Sequence, residues 1–476
     1  MLHVLTTQVG NSHPMFGYFE GLCGAANNLK NATRFRQRQV ITAVEKDPSA
    51  LTANEREVLD EIAKALPVMN AAGKRPDEAG DRYKMPTQGK SFLSYPFLEA
   101  LLRATNNPDF FCGKLPRQAA QAVLKDCVQE MESYYAAKRE YRRDPSKFRG
   151  EPKFPGYNKP GGCCTTTLTN QDCVLYDAGK GAHELKLPYI KERLSLGKAP
   201  IQGRLKQVKV IPTHGIFVIS LTTEVKGKPP ALAEGPQRII GIDLGVNNFA
   251  AITNNLGKPC LLFKGGVAKS ANQWYNKQMA ALVSEQTIRT GEKFVPTPES
   301  RRLELQRDNY LGDYMNKVAK LVIRWCVENQ VDTIVVGVNK GGKQGSNMGS
   351  QNNQNFVSLP FAKFRWQLQY RAERLGIRYI EHEESYTSKA SFLDGDFIPV
   401  YGEDGANQVK FSGQRFQRGL YRSKSGQVLN SDFNGSANTI RKAIPDAFIR
   451  GVMPDFNRVL VYKHPDTKPT VVGKSA

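Results

Sequence analysis

Apolar positions change period along the chain, and each change marks a different architecture. Over roughly the first 145 residues they recur at helical spacing. Leu22, Ala26 and Leu29 share a face within 18–38, with basic residues toward its end. Val58, Ile62 and Leu66 follow the capping box Thr52-Ala53-Asn54-Glu55, and Phe97, Leu101 and Leu102 follow Pro96, which suits a first helical turn. Ala120, Val123, Cys127, Met131 and Tyr134 form a stripe within 115–143, a helix of about seven turns. Such stripes are first of all core packing. From 165 to 225 short β runs replace them, at 165–169, 173–176, 184–190, 205–211 and 216–225, and five strands of that size predict a small oligonucleotide-binding-like barrel. A Pro and Gly stretch, 225–238, then marks the main domain boundary.

Beyond it the pattern predicts three consecutive strands, 239–244, 249–253 and 260–263, the last two joined by the turn Asn254-Asn255-Leu256-Gly257. A helix over 301–329 follows, with Leu311, Met315, Val318, Val322 and Trp325 inward, and then a strand over 332–338. A connection, 339–360, leads to a helix over 361–375, a strand over 377–383, and a closing helix that begins near Asp432 and runs to Ala443. Three hairpin strands, then strand, helix, strand and closing helix make an α/β order with parallel strands added beside the first. The stretch from Asp446 onward carries no clear element and is expected to be partly disordered.

Charge narrows the function classes. Lys and Arg number 67 against 45 Asp and Glu, a formal net charge of +22 over 476 residues, so a polyanionic partner is expected. With 40% hydrophobic and 24% charged residues the chain is a folded protein, not a disordered basic tail. No apolar run reaches the roughly 18 residues of a membrane span, and MLHVLTTQVGNSHP does not read as a secretory signal. Eight cysteines without a CxxC pair point to a reducing, cytoplasmic setting; Cys163, Cys164 and Cys173 lack further ligands at zinc spacing. The positive charge concentrates in 138–160, where Arg139, Arg142, Arg143, Lys147, Arg149 and Lys153 interleave with Tyr141 and Phe148. Cations that neutralise phosphate beside rings that stack on bases suit a single strand or a structured RNA. The Gly, Asn and Gln-rich stretch 341–355, flanked by Lys340 and containing Lys343, is expected to be a loop that contacts nucleic acid.

The acids carry the chemistry. Asp243 lies in a buried apolar strand, where an unpaired anion costs several kcal/mol, so it must be neutralised, hydrogen-bonded or metal-bound. An Asp-Leu-Gly strand opens both ribonuclease-H-like nucleases and actin-like ATPases; the ATPase reading is disfavoured because no second duplicated lobe with a phosphate loop follows. GIDLGVNNFAAIT, NNQNFVSLPFAKFRWQLQYRAERLGI, EESYTSKASFLD and NSDFNGSANTIRKA together resemble the RuvC-type nuclease of TnpB proteins and compact type V CRISPR effectors. The resemblance implies an RNA-guided, Mg²⁺-dependent DNA endonuclease, with Asp243 and Asp432 as the first and third metal-binding acids. Its partners would be a guide RNA, target double-stranded DNA and the displaced strand, in a prokaryotic cell, with a monomer favoured. Two Mg²⁺ ions, replaceable by Mn²⁺, would stabilise the entering and leaving oxygens.

The second acid departs from the family pattern. Val335-Val336-Gly337 stands where many members carry Glu, so another acid must replace it or the protein is a guided DNA-binding regulator that does not cut. Glu383 and Glu384 end the next strand, two strand spacings or about 9–10 Å away. Metal–oxygen bonds of about 2.1 Å to side chains reaching from both sides can span that gap. Neighbouring strand residues point to opposite faces, so one of the two is the ligand; Glu384, which abuts Ser385-Tyr386-Thr387-Ser388, is preferred and Glu383 is the runner-up. A four-cysteine zinc ribbon is frequent in the family, and its positions here hold Ser391, Asp394, Arg422 and Ser425, so no zinc is expected. That insert should instead have a small core of Phe392, Phe397, Tyr401, Phe411, Phe416 and Tyr421, with Arg415, Arg418 and Arg422 near the scissile strand.

The expected fold is thus multidomain α+β: a helical recognition lobe and a small β-barrel, followed by a ribonuclease-H-like (RuvC) α/β nuclease domain. The resemblance implies a first barrel strand in 1–13, the helical lobe over 14–145, and the basic segment and barrel over 146–236. It assigns the nuclease to 237–384 and 429–445, the cysteine-free insert to 385–428 and a tail to 446–476.

Overall fold

The computed structural model describes residues 2–72, 81–198, 200–226, 237–338, 359–403, 405–449 and 451–473. The chain forms two compact units, Met1–Lys226 and Gly227–Ala476, so the boundary falls in the Pro and Gly stretch. Most of that stretch, and the loop with Lys340 and Lys343, lie outside the described residues.

The first unit begins with strand β1 (Leu2–Val9) and helices α1 (Phe16–Ala43), α2 (Ala53–Ala71), α3 (Tyr95–Ala104) and α4 (Arg117–Arg143). The capping box of α2 is formed: Thr52 Oγ1 accepts from the Glu55 amide and the Glu55 carboxylate accepts from the Thr52 amide at 2.8 Å. Glu130 of α4 pairs with Lys30 at 2.5 Å and with Arg34 of α1, whose side chain is 1% exposed. These basic residues of α1 are therefore structural. Strands β2 (Thr166–Thr169), β3 (Val174–Gly179), β4 (Ala182–Lys186), β5 (Arg193–Gly197), β6 (Arg204–Thr213) and β7 (Ile216–Glu224) follow.

They pair as two sheets, β1-β7-β6-β2 and β3-β4-β5, so among the described residues the ladders do not close into the single small barrel expected from five runs. β1 joins β7 from the far end of the unit. The difference comes from β5, which lay outside the five runs and, with only Leu194 and Leu196 buried, completes a separate meander. One hydrophobic core ties helices to sheet, including Phe19, Leu22, Leu124, Val208 and Leu221; Phe16 packs on Phe217 with ring centroids 5.1 Å apart.

The second unit contains β8 (Ile239–Leu244), β9 (Asn248–Asn254), β10 (Pro259–Lys264), α5 (Gly266–Thr290), α6 (Pro298–Glu328), β11 (Thr333–Val338), α7 (Phe361–Arg374) and β12 (Arg378–Glu383). A small sheet of β13 (Gln414–Gln417), β14 (Leu420–Arg422) and β15 (Val428–Asn430) precedes α8 (Ser431–Ala443), β16 (Asp455–Tyr462) and β17 (Thr470–Gly473). The main sheet runs β12-β11-β8-β9-β10-β16-β17. β8, β9 and β10 are antiparallel neighbours, while β11 lies parallel to β8 and β12 parallel to β11. Three features differ from the sequence expectation. The tail supplies β16 and β17, which extend the sheet beside β10. Helix α5 buries only Ala268 and Asn272, so it has no apolar stripe to announce it. In the insert Phe392 and Tyr421 are buried, but Phe397 and Tyr401 are 72% and 74% exposed and Phe416 is exposed, so the expected six-ring core is not formed.

Strand alternation assigns the two sheet faces. Ile240, Ile242, Ile334 and Val336 enter the core beneath α6 and α7, where Phe249 meets Tyr314, Phe361 and Phe364 at 4.8–5.8 Å. Ile239 and Val335 pack with Ile440 of α8 on the other face. Period two therefore puts Gly241, Asp243 and Gly337 on the α8 side. Gly241 is required there: a Cβ would lie 2.5 Å from both Ile440 Cγ1 and the Ser436 carbonyl, and Ser436 Oγ donates to the Gly241 carbonyl at 2.7 Å. Gly241→Ala is expected to destabilise this unit by about 1–3 kcal/mol through overpacking. Its unfolding midpoint in urea should fall, and an unchanged midpoint would contradict this packing.

Candidate active site

The end of β8 carries Asp243, and the first turn of α8 carries Asp432 and then Gly435. A Cβ on Gly435 would stand 2.8 Å from Asp243 Oδ2, so the glycine lets the helix start press against that carboxylate. Asn430, not Asp432, caps the helix: its side chain accepts from the Asp432 amide at 2.8 Å. Asp432 is free to face the sheet, where Asn248 Nδ2 donates to its Oδ2 at 2.7 Å. From the insert, an Arg415 guanidinium nitrogen lies 3.8 Å from Asp432 Oδ1.

The tandem glutamates have different surroundings. The Glu383 carboxylate accepts from Lys442 Nζ at 2.6 Å and from the Ser385 amide at 2.6 Å. Lys442, on α8, has a side chain only 4% exposed. Burial opposes the Glu383 anion, but these donors outweigh it and hold its carboxyl below the ordinary range. Glu384 continues past the strand, its amide donating to the Val338 carbonyl. Its Oε2 would be 2.8 Å from a Cβ built on Gly337. Gly337 thus leaves the room that the Glu384 carboxylate occupies. Tyr386, with φ of 65°, turns the chain away immediately afterwards, a left-handed conformation uncommon for a bulky residue. Asn434 and Asn438 of α8 hold that turn by donating to the Thr387 and Ala390 carbonyls.

Burial raises Asp243 well above the usual carboxylate range, and the charges of Asp432 and Glu384 push it further while Arg415 opposes them. Burial followed by the charge of Glu383 raises Glu384. No hydrogen-bond donor to either carboxyl is found among the described residues. Among those residues no group of three or more His, Cys, Asp or Glu side chains is placed to hold a metal ion as it stands. Carboxylate oxygens without donors, crowded near like charges, nonetheless fit a hard divalent cation such as Mg²⁺.

The other expected contacts divide. Arg422 lies over the Phe416 ring at 4.1 Å and Arg418 is exposed. In the first unit Arg139, Arg142, Arg143, Arg149 and Lys153 are exposed, whereas Lys147 pairs with Glu140 at 2.6 Å and Tyr141 meets Phe148 edge-on at 5.7 Å. The former zinc positions hold a polar cluster in which Asp394 accepts from Ser391 Oγ at 2.5 Å and from the Lys424 amide at 2.8 Å. Sequence reasoning missed Asn248, Lys442, Asn434 and Asn438. All four lie in the quoted stretches GIDLGVNNFAAIT and NSDFNGSANTIRKA, but nothing in the residue pattern there marks their partners.

These acids lie at one end of a mixed α/β sheet, beside the insert that carries Arg415. Residues 220–341 match the OrfB_IS605 family, described as a probable transposase, and residues 361–439 match the Cas12f1-like TNB domain. Two separate segments of the chain are thus similar to TnpB-type and Cas12f1-type proteins. The chain is 26% identical over 281 residues to the TnpB-like protein ORF457 of Acidianus two-tailed virus, a match covering 57% of this chain and about half, 52%, of that protein. Two solved structures superpose loosely. A Cas12f1–sgRNA–target DNA complex does so with a TM-score of 0.45 and 12% identity over 87% of this chain and 82% of that one. Alicyclobacillus acidoterrestris C2c1 with single-guide RNA gives 0.44 and 8% over 93% and 88%. Among the described residues no helix is long and apolar enough to cross a membrane.

The raised acids have a signed consequence. In chelator, raising the pH above the ordinary carboxylate range takes protons from Asp243 and Glu384 in the folded chain that the unfolded chain has already lost, so stability falls as pH rises through their elevated titrations. Asp243→Asn should flatten that decline, seen as a higher melting temperature than the parent at the upper pH. A parent that gains stability across the window would contradict the clustering.

Proposed function

We propose that the protein is an RNA-guided DNA endonuclease that hydrolyses guide-matched DNA at Asp243, Glu384 and Asp432. The observation that carries this reading is the Glu384 carboxylate lying over Gly337, which supplies a third acid where the chain's own β11 has none. The strand order, with β11 and β12 added parallel beside the β8–β9–β10 meander, supports a ribonuclease-H-like, RuvC-type frame. The two family-model matches support the guide and DNA as partners, and the net charge of +22 suits both.

The three carboxylates would hold Mg²⁺, which, when bound, stabilises negative charge on the entering and leaving oxygens of a phosphodiester. The chain's own groups do the positioning. Glu383, held by Lys442, fixes the end of β12 so that Glu384 faces the site. Arg415, on the cysteine-free insert, would meet the phosphate beside Asp432, and Arg418 and Arg422 would follow the strand. In the first unit the exposed cations Arg139, Arg142, Arg143, Arg149 and Lys153 would line the guide RNA. Base pairing would choose the target, while the protein reads a short flanking motif. We assign the domains as β1 with 146–236, the helices of 14–145, the nuclease over 237–384 and 429–445 extended by β16 and β17, and the insert over 385–428.

The test is to purify the full chain with the RNA it retains, sequence that RNA, and incubate the complex with matching DNA and Mg²⁺. Guide-dependent cutting is expected, reduced by at least about a hundredfold in Asp243→Ala and in Glu384→Ala, the scale of losing a transition-state charge stabiliser. Glu383→Ala should keep more activity than Glu384→Ala. Binding of matched DNA without cutting would establish the non-cleaving regulator instead.

A further inference from the structure

Beside the acids lies a polar chain that starts at Lys264 and ends on Asp432. Lys264 Nζ donates to Asn248 Oδ1 at 3.0 Å, and Asn248 Nδ2 donates to Asp432 Oδ2 at 2.7 Å. The order is chemically determined: an ammonium can only donate, so it takes the amide oxygen and leaves the amide NH₂ for the carboxylate. A histidine or serine in place of Asn248 would not be forced into one orientation in this way.

The backbone is shaped to deliver Lys264. The β9–β10 ladder shifts register between Phe263 and Lys264, so that Lys264 pairs with Asn248. Such an irregularity re-aims a side chain, a frequent device beside active sites. Gly265 follows, and a Cβ there would lie 2.0 Å from the Val246 carbonyl, so only glycine permits the crossing. The Gly265 amide donates to the Asn247 carbonyl at 2.8 Å, and Tyr314 Oη donates to the Lys264 carbonyl at 2.9 Å, fixing the lysine's backbone from both sides.

We propose that Asn248 is a positioning residue for the third acid, held in one orientation by Lys264, and that it sets the divalent-ion affinity of the site. The inference rests on the reading of Asp432 as a metal ligand. A hydrogen bond in the carboxylate plane fixes the torsion of Asp432 and leaves its Oδ1 toward the insert. Partners of this outer kind commonly contribute ten- to hundredfold to metal affinity. Arg415 lies on the Oδ1 side and Ser431 Oγ is 3.3 Å from the same oxygen, so Asn248 is the partner of Oδ2.

The test titrates Mn²⁺ into the full-length protein and follows the electron paramagnetic resonance signal of the free ion, with melting temperatures measured in chelator. Asn248→Ala should weaken Mn²⁺ binding by about ten- to hundredfold with an unchanged metal-free melting temperature. Lys264→Met should weaken it severalfold in the parent but by less than about twofold in the Asn248→Ala background, because the lysine acts only through the amide. Three results would overturn the proposal: affinity in Asn248→Ala within about twofold of the parent while Asp432→Ala has lost the ion, additive losses in the double variant, or a loss that tracks a lower metal-free melting temperature. If Asp432→Ala binds Mn²⁺ like the parent, the site reading itself fails, and this inference with it.

Discussion

The close approach of α8 to the main sheet is the contact on which the site depends. Asp243 and Asp432 are 189 positions apart in sequence, and they come together because Gly241 admits Ile440 and Ser436 and Gly435 admits the Asp243 carboxylate. Ser436 closes the contact with hydrogen bonds to Gly241 and Thr253, neighbours across β8 and β9. The same helix carries Lys442 to Glu383 and two asparagines to the turn after Glu384. One helix therefore positions all three acids, and any side chain at either glycine would separate them.

The electrostatics follow from that packing. Burial, followed by nearby like charges, keeps Asp243 and Glu384 reluctant to ionise, while Glu383, next to Glu384 in the chain, is held as an anion by Lys442 and the Ser385 amide. Two adjacent glutamates thus acquire opposite tendencies from their surroundings alone. These acids stand out in a chain whose formal net charge is +22.

Much of this was legible in the sequence, for physical reasons. The strands of the second unit are apolar runs bounded by turn residues, and the α2 capping box is a two-residue signal that formed as read. Asp243 stood out because a carboxylate in a buried strand needs a reason. The small barrel was harder to read because strand pairing is non-local: the residue pattern gave five runs but not their partners, and a strand in 1–13 came from the resemblance alone. Helix α5 was silent because its buried face is almost empty, and exposed Phe397 and Tyr401 were wrongly counted as core because ring content does not reveal direction. Gly337 was legible only as a loss. Glu384 was already the preferred replacement; that its carboxylate lies over the glycine needed three dimensions.

The central claim is that the second acid has moved from residue 337 to residue 384 without leaving its place in space. The direct measurement is guide-dependent DNA cleavage by Glu384→Gly and by the double variant Gly337→Glu/Glu384→Gly. The single change should abolish cutting, and the double change, which returns a carboxylate to the same volume from β11, should restore part of it. Cutting by Glu384→Gly at the parent's rate, or a double variant that stays inactive while melting like the parent, would contradict the account.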